Sequence, residues 1–266
     1  MSSIALSVET GRLQDESYLS ARVLSLVFSS MGRVEVCGVY SHLRQVDNRI
    51  DVDGLRGEQG VNYVMRQWDR VVDAANSGQN IDGVYTDRLW SYAPKNQVLR
   101  NLSWIYLGMA QDAQLSNLEA RTGDQRNLDF RSGMYGPIQL ASLFLTQREL
   151  NVSKGLIRWM QAAYLLGNMK DLKQDVEVGQ LKMPFNPQEQ STISSKSTTE
   201  RMGAMRQIFD EQRFSGLKWR SLQTMFQFSS SWKDSGLPSH LVAMIRTYNV
   251  QAMLKMMIQA RYPWSD

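Results

Sequence analysis

Apolar residues along this chain recur at intervals of three and four, which is the spacing of one face of an α-helix. Over 61–75 these positions form a continuous stripe, and Gly78 follows as a helix stop signal. Pro94 and Pro137 each stand at the start of a further apolar stripe, where a helix tolerates proline. The same spacing predicts additional helices at 17–31, from 153 onward, and at 198–213, 216–228 and 239–261.

Evidence for β-strands is limited to the short stretch 34–39, which fits an irregular helix equally well. No internal repeat of fixed period occurs in the sequence, and this argues against a solenoid. We therefore expect an all-α protein, a multi-helix bundle of about eight to ten helices arranged in two lobes.

A change in composition divides the helical patterns into two parts. Residues 179–199 contain two prolines and many Ser, Thr and Gln side chains, without a sustained apolar period, which is typical of a linker. Ser197, followed three residues later by Glu200, forms a capping box that would restart the helices. The prediction is an N-terminal helical domain over 1–178, a linker or mobile loop over 179–199 and a basic C-terminal helical domain over 200–266.

The overall composition is that of a globular protein, with 42% hydrophobic and 21% charged residues in a chain of 266. No run approaches the ~20 apolar residues of a membrane-spanning helix. The first residues lack the basic start and apolar stretch of a secretion signal, so we expect a protein of the cytoplasm, the nucleus or a particle assembled there. One cysteine and two histidines are too few for a four-ligand zinc site, and neither metal nor cofactor is predicted.

Catalytic signatures are missing from the sequence, which holds no phosphate-binding loop and no GxGxxG, HExxH or GxSxG motif. The segment 47–54 resembles a calcium loop, but Arg49 and Gly60 occupy the positions of two required carboxylates, which favours a polar turn. Cys37 and His42 have no third group that would complete a nucleophilic site. These observations favour a binding or structural protein without a small-molecule substrate over an enzyme.

Charge is unevenly distributed along the chain. Residues 1–150 hold 15 basic against 17 acidic side chains, whereas residues 151–266 hold 15 against 9. The net charge of +6 on the second part indicates an anionic partner, either RNA phosphate or anionic lipid headgroups. A solvated basic surface without a partner explains the charge equally well.

Arg206, Arg213 and Arg220 recur every seven residues among aromatic side chains, a combination that suits single-stranded nucleic acid. Helical periodicity assigns Phe209 and Phe226 to the core, so the basic residues remain the better candidates. The candidate RNA- or lipid-binding residues are Lys154, Arg158, Lys170, Lys173, Lys182, Arg201, Arg206, Arg213, Lys218 and Arg220.

The last predicted helix carries more apolar residues than one buried stripe requires. Four of them are methionines, whose flexible side chains suit adaptable contact surfaces. Such a helix is either buried on several sides or docks on a second copy of the chain. The candidate self-association residues are Met244, Met253, Met256 and Met257.

In length, composition, helix-rich pattern, basic surface and single thiol, the whole chain resembles the matrix proteins of orthomyxoviruses of the thogotovirus type. The resemblance implies a two-lobed helical protein that self-assembles beneath the viral envelope and binds anionic membrane and ribonucleoprotein, driving virion assembly and budding. It would then reside in the virion and in the host cytoplasm, at the inner face of the membrane or in the nucleus. The zinc-finger-like cluster of the influenza relatives has no counterpart here, because Cys and His are too few.

A nucleocapsid or coat protein that encapsidates single-stranded RNA is the main alternative, and an enzyme or a regulatory adaptor from a cellular source is a third class. The coat function predicts a continuous positive groove between the two lobes. It also predicts a flexible arm exchanged between neighbouring subunits, for which 179–199 is the candidate segment.

Overall fold

Every regular element in the described part of the chain is helical. The computed structural model describes residues 19–78, 84–114, 121–177, 182–183 and 185–264, and no strand occurs within these ranges. The all-α, multi-helix prediction is therefore confirmed. The ambiguous stretch 34–39 belongs to a helix.

The N-terminal part builds one hydrophobic core. Its described helices are α1 (Leu19–Ser30), α2 (Val34–Asp51), α3 (Gly57–Ser77), α4 (Asp87–Ser91) and α5 (Lys95–Gln114). The long helices α3 and α5 pack along each other and bury Val64 and Leu102 between them and their neighbours. Helix α3 ends as predicted at Gly78, whose φ of 69° lies in the left-handed region that glycine enters without a steric penalty. We call the buried residues from 28 to 145, together with Leu241, the N-terminal core.

Three helical segments follow one another without a break after 122. They are α6 (Gly123–Phe130), a π-helical turn (Arg131–Tyr135) and α7 (Gly136–Thr146). A capping box between Thr122 and Gln125 starts α6. At Gly136 an added Cβ would lie 2.9 Å from the carbonyl oxygen of Arg131 and 3.2 Å from that of Asn101. Glycine is therefore required there for α7 to pack closely against α5.

The C-terminal part forms a second core. Its described elements are α8 (Lys154–Glu177), α9 (Pro187–Ser194), α10 (Thr198–Ile208), α11 (Glu211–Phe228), a 3₁₀ turn (Ser229–Asp234) and α12 (Ser239–Gln259). Helices α8 and α11 pack along each other, and Trp159 meets Trp232 edge to face with ring centroids 5.3 Å apart. We call the buried residues from 150 to 260, excluding Leu241, the C-terminal core.

The division between the two cores falls near residue 150, earlier than the predicted domain boundary at 178. Helix α8 lies on the N-terminal side of that predicted boundary, but its Leu156, Met160 and Leu166 are buried in the C-terminal core. Its main packing partner is α11, which comes much later in the chain. The net charge changes at this division, from −2 over 1–150 to +6 over 151–266, but the change in Pro, Ser and Thr content on which the predicted boundary rested lies later, at 179–199.

The segment 179–199, interpreted from its sequence as a linker or mobile loop, contributes to the C-terminal core in its described residues. Met183, Phe185 and Ile193 are all buried there, and α9 occupies the middle of the segment. Asn186 and Glu189 form a capping box at the start of this helix. The linker interpretation is therefore corrected for these residues. Within α9 the deeply buried side chain is that of Ile193, and a single buried position shows no apolar period in the sequence.

Two helix boundaries in this region follow capping residues. The predicted box at Ser197 and Glu200 is present, with the Ser197 N–H donating to Glu200 Oε2 at 3.0 Å. The predicted helix 198–213 instead ends at Ile208, because the side chain of Asp210 accepts from the N–H of Arg213 at 2.7 Å and begins α11.

Candidate functional site

Lys182, predicted to bind RNA or lipid, is half-buried, with 18% of its side chain exposed, and its ammonium group is paired within the protein. Its Nζ is 3.0 Å from Oδ2 of Asp112, at the end of α5. Burial lowers the pKa of Lys182, but the carboxylates of Asp112 and Asp175 outweigh that effect and hold the pKa above its usual value. The prediction is corrected: this lysine joins the two lobes and is not part of an exposed basic surface.

Arg213, another predicted binding residue, is also used internally. Its guanidinium donates to both carboxylate oxygens of Glu189 and to the carbonyl of Ile208. It lies over the rings of Phe185 and Phe209, at 5.8 and 5.4 Å from their centroids. The hydrogen bond from Arg213 is the main reason that the pKa of Glu189 lies below its usual value. Arg213 thus connects α9 to α11 and is corrected to a structural residue.

Lys218 closes the end of the last helix. Its Nζ donates to the carbonyl oxygens of Met257 at 2.6 Å and Ala260 at 2.8 Å. Helix C-termini leave carbonyls unsatisfied and carry a partial negative charge, both of which a lysine offsets. The prediction that Lys218 binds RNA or lipid is therefore corrected, because its ammonium group is used within the protein to cap α12.

The other predicted basic residues lie closer to the surface. Lys154, Arg158, Arg206 and Arg220 are exposed, and Arg158 covers the ring of Phe228 at 5.4 Å. Two more are half-buried: Lys170 lies 3.2 Å from Asp171, and Arg201 donates to the carbonyl of Lys196. The side chain of Lys173 lies outside the described residues.

The four methionines predicted to mediate self-association face the protein interior. Met253 is 1% exposed in the C-terminal core, and Met256 and Met257 pack against that core. Met244 packs against the N-terminal core. The prediction is corrected, because the methionines lie on the faces of α12 that contact both lobes.

A different set of apolar residues is exposed on the last two long helices. Phe226, predicted to be core, is among them. Together they form what we call the apolar face: Trp219 (59% exposed), Phe226 (51%), Val250 (43%), Leu254 (48%) and Ile258 (68%).

Helix geometry brings these five residues to one side of the protein. Val250, Leu254 and Ile258 are spaced by four along α12, and Trp219 and Phe226 by seven along α11. Lys218 contacts the carbonyls of Met257 and Ala260, and Phe214, one turn earlier on α11, contacts Tyr262, so the two helices run antiparallel. Trp219 therefore lies beside the end of α12, and Phe226, two turns further along α11, lies beside its middle.

The sequence around the apolar face is basic. Residues 211–264 contain seven Lys and Arg against two Asp and Glu, and α12 itself contains no acidic residue. Arg220 and Arg261 are exposed, and Arg246 and Lys255 are half-buried. Arg261 follows the end of α12 by two residues, and its charge, after burial, contributes to lowering the pKa of Lys218. The surface thus combines exposed apolar side chains with positive charge.

A second constellation lies where the lobes meet. We call it the interlobe charge cluster: Asp47, Asp51, Asp112, Arg121, Asp175 and Lys182. Burial raises the pKa of Asp47 to about 6, with a further contribution from the charge of Asp51, and burial likewise raises that of Asp175 to about 6. Burial also acts on Asp112, but Lys182 and Arg121 outweigh it and lower its pKa. The cluster therefore contains attractive pairs, such as Asp112 with Lys182, and repulsive pairs, such as Asp47 with Asp51.

The fold and these surfaces define a two-lobed, all-α protein with one basic and apolar face. No protein-family model, no curated protein and no solved structure matches this chain. Among the described helices, none is long and apolar enough to cross a membrane. The described residues also contain no group of three His, Cys, Asp or Glu side chains that could hold a metal ion.

Proposed function

We propose that this protein is a peripheral membrane-binding structural protein of the matrix type. It docks on anionic lipid through the apolar face, assembles with copies of itself beneath an envelope and contacts ribonucleoprotein, so that it drives assembly and budding. The observation that carries the proposal is the exposure of Trp219, Phe226, Val250, Leu254 and Ile258 within a segment of net positive charge.

The physical chemistry of the apolar face matches a lipid surface. Indole and phenyl rings favour the boundary between headgroups and acyl chains, where aliphatic side chains also lose contact with water. Each Lys or Arg near an anionic leaflet adds about 1 kcal/mol of attraction. Arg220 and Arg261 are exposed to supply that attraction, and Arg246 and Lys255 add charge from α12.

Co-sedimentation with liposomes tests this proposal. The 266-residue chain is mixed with phosphatidylcholine vesicles, with or without phosphatidylserine, over a salt series. We expect pelleting only with the anionic vesicles, weakening as salt rises. The substitutions Trp219→Ser, Leu254→Ser and Ile258→Ser, introduced together, should reduce vesicle binding at least roughly tenfold because they remove apolar area from the contact.

Two exposed apolar residues elsewhere provide a matched control. Leu26 and Val52 are each 71% exposed and belong to the N-terminal part. The double substitution Leu26→Ser and Val52→Ser should leave vesicle binding unchanged. Equal loss in the control and in the triple variant, or full binding by the triple variant, would contradict the assignment of the apolar face.

A coat protein for single-stranded RNA is the second candidate, favoured by one observation. The exposed indole of Trp219 neighbours Arg220 in sequence, and an exposed ring beside a guanidinium suits a stacked base and its phosphate. The same sedimentation experiment with RNA in place of vesicles separates the two. A fixed number of nucleotides per subunit, with no lipid binding, would replace the matrix proposal with this one.

A further inference from the structure

The interlobe charge cluster brings carboxylates from both lobes into one place. Asp51 lies on α2 and Asp112 on α5, in the N-terminal part, whereas Asp175 lies near the end of α8, in the C-terminal part. The charges of Asp51 and Asp112 both act on Asp175, so its carboxylate lies close to the N-terminal lobe. Asp175 therefore belongs to the contact between the lobes.

Each carboxylate that the N-terminal lobe contributes to this cluster has at least one cation of its own, and Asp175 has none. Among the described residues, Asp175 makes no ion pair. The largest opposing charge that acts on it is that of Lys182, but the ammonium group of Lys182 lies 3.0 Å from Oδ2 of Asp112. The pairs of the N-terminal lobe are Asp47 with Arg44, Asp51 with Arg56, and Asp112 with both Arg121 and Lys182.

The position of Asp175 disfavours its charged form. Burial is the main reason that its pKa is raised from 3.8 to about 6, and the charge of Asp171, one turn earlier on α8, adds to the effect. A carboxylate loses its hydration when α8 closes against the N-terminal lobe, whereas a protonated carboxyl loses much less. The closed contact therefore binds the proton of Asp175 about a hundredfold more tightly than a hydrated carboxyl does.

The contact between the lobes is loosely packed beside this residue. A cleft of about 370 Å³ opens between α6 and α8, and Lys182 lines it. Gln161, Tyr164 and Asn168 line the cleft from one face of α8, and Asp175, seven residues after Asn168, continues that face. A small movement of the end of α8 away from the N-terminal lobe is therefore enough to hydrate the carboxylate of Asp175.

From this arrangement we propose that Asp175 is a proton-operated latch between the two lobes. While its carboxyl is protonated, the end of α8 stays closed against the N-terminal lobe. When the proton leaves to solvent, the carboxylate faces the charges of Asp51 and Asp112, and the end of α8 moves outward until water hydrates it. Leu172 is buried in the C-terminal core, so only the last turn of α8 moves and both cores stay folded. The latch does not depend on membrane binding by the apolar face.

Hydrogen–deuterium exchange of the 266-residue chain tests this latch. Exchange over 172–177 is measured at about pH 4.5 and about pH 7.5 and is corrected for the intrinsic rate of amide exchange. We expect protection there to fall at least about tenfold between the two pH values and to level off above about pH 6. The closed form is favoured below the ordinary pKa of the carboxyl, and it loses that advantage as pH rises through the raised pKa.

The same experiment separates a local opening from unfolding of the whole chain. Movement of one helix turn exposes little surface, so exchange over 172–177 should hardly respond to ~1 M urea, whereas exchange in α3 should respond strongly. Protection that is independent of pH would overturn the proposal. So would exchange over 172–177 that responds to urea as steeply as exchange in α3.

A substitution identifies the group that titrates. Asparagine has nearly the shape of a protonated aspartate and carries no charge. Asp175→Asn should therefore stay closed, with protection over 172–177 at about pH 7.5 at least tenfold above that of the unsubstituted chain. Asp234→Asn, at an exposed position in the 3₁₀ turn, is the matched control and should keep the original pH response. An unchanged pH response in Asp175→Asn would rule out Asp175 as the latch; if that variant does not fold, the pH and urea dependence of the unsubstituted chain still decides.

Discussion

The ammonium group of Lys182 lies 3.0 Å from Oδ2 of Asp112, and this contact joins residues 70 positions apart in the chain. Asp112 belongs to α5 in the N-terminal part, whereas Lys182 follows α8 and neighbours the C-terminal core. The pair is flanked by Arg121, which also donates to Asp112. The charge of Lys182 is therefore used to hold the lobes together.

Replacing this lysine should destabilise the fold without affecting partner binding. Lys182→Gln leaves Asp112 buried with Arg121 as its remaining cation, so we expect the free energy of unfolding to fall by about 2–3 kcal/mol. Urea denaturation measures the change. Lys154→Gln, at an exposed position, should change stability by less than ~0.5 kcal/mol. If the Lys182→Gln variant kept its stability but bound vesicles or RNA less tightly, the internal role of Lys182 would be wrong and its predicted role in binding would stand.

The internal roles of three basic residues, Lys182 among them, could not be predicted from the sequence. The sequence shows where the basic residues stand, but the carboxylates that pair with Lys182 and Arg213 and the carbonyls capped by Lys218 lie 24 to 70 residues away. Asp112 is 70 residues from Lys182, and the carbonyls capped by Lys218 are 39 and 42 residues away. Ion pairs between distant segments have no local periodic signal, so the internal use of these three residues required the fold.

The interlobe charge cluster makes stability depend on pH. In Asp47 and Asp175 the pKa is raised to about 6, so the folded state binds more protons than the unfolded state between about pH 4 and 6. Stability contributed by these two carboxyls therefore falls as pH rises through this window. The lowered pKa of Asp112 acts in the opposite sense, and its contribution is lost only at more acidic pH.

Asparagine at Asp47 or Asp175 removes the cost of a buried charge at neutral pH. Each substitution should raise the free energy of unfolding at pH 7 by about 1–2 kcal/mol, less than the full pKa shift implies because Asp47 also loses its bond from Arg44. At pH 4 the gain should vanish. Urea unfolding of each variant at both pH values measures this, with exposed Asp234→Asn as the control. A gain of equal size at pH 4 would show that burial of charge is not its cause.

Helix positions were the part of the fold that local pattern predicted best. The stripe over 61–75 corresponds to α3, and Ser197 and Glu200 begin α10 as expected. The same periodicity does not say which of two apolar faces is buried when a helix carries both. On α12 the methionines face inward and Val250, Leu254 and Ile258 face outward, a choice made by contacts with both lobes.

The two faces of α12 should therefore respond differently to truncation. Met253→Ala removes a buried side chain from the C-terminal core and should lower the free energy of unfolding by about 2–5 kcal/mol. Ile258→Ala, at a position that is 68% exposed, should cost less than ~1 kcal/mol. Chemical denaturation of both variants makes the comparison. Similar costs at the two positions would mean that α12 is packed differently from the arrangement described.

Arg206, Arg213 and Arg220, which recur every seven residues, should differ in whether their replacement weakens vesicle binding or lowers stability. Arg206 and Arg220 are exposed, so replacing both with glutamine should weaken binding to anionic vesicles by about fivefold per charge and reduce its salt dependence. Arg213→Gln should instead lower stability, because Glu189 then loses its bidentate partner between α9 and α11. Vesicle co-sedimentation and urea unfolding, applied to both variants, distinguish the effects. If Arg213→Gln weakened vesicle binding and left stability unchanged, its guanidinium would have to face a partner, and the internal bridge to Glu189 would be wrong.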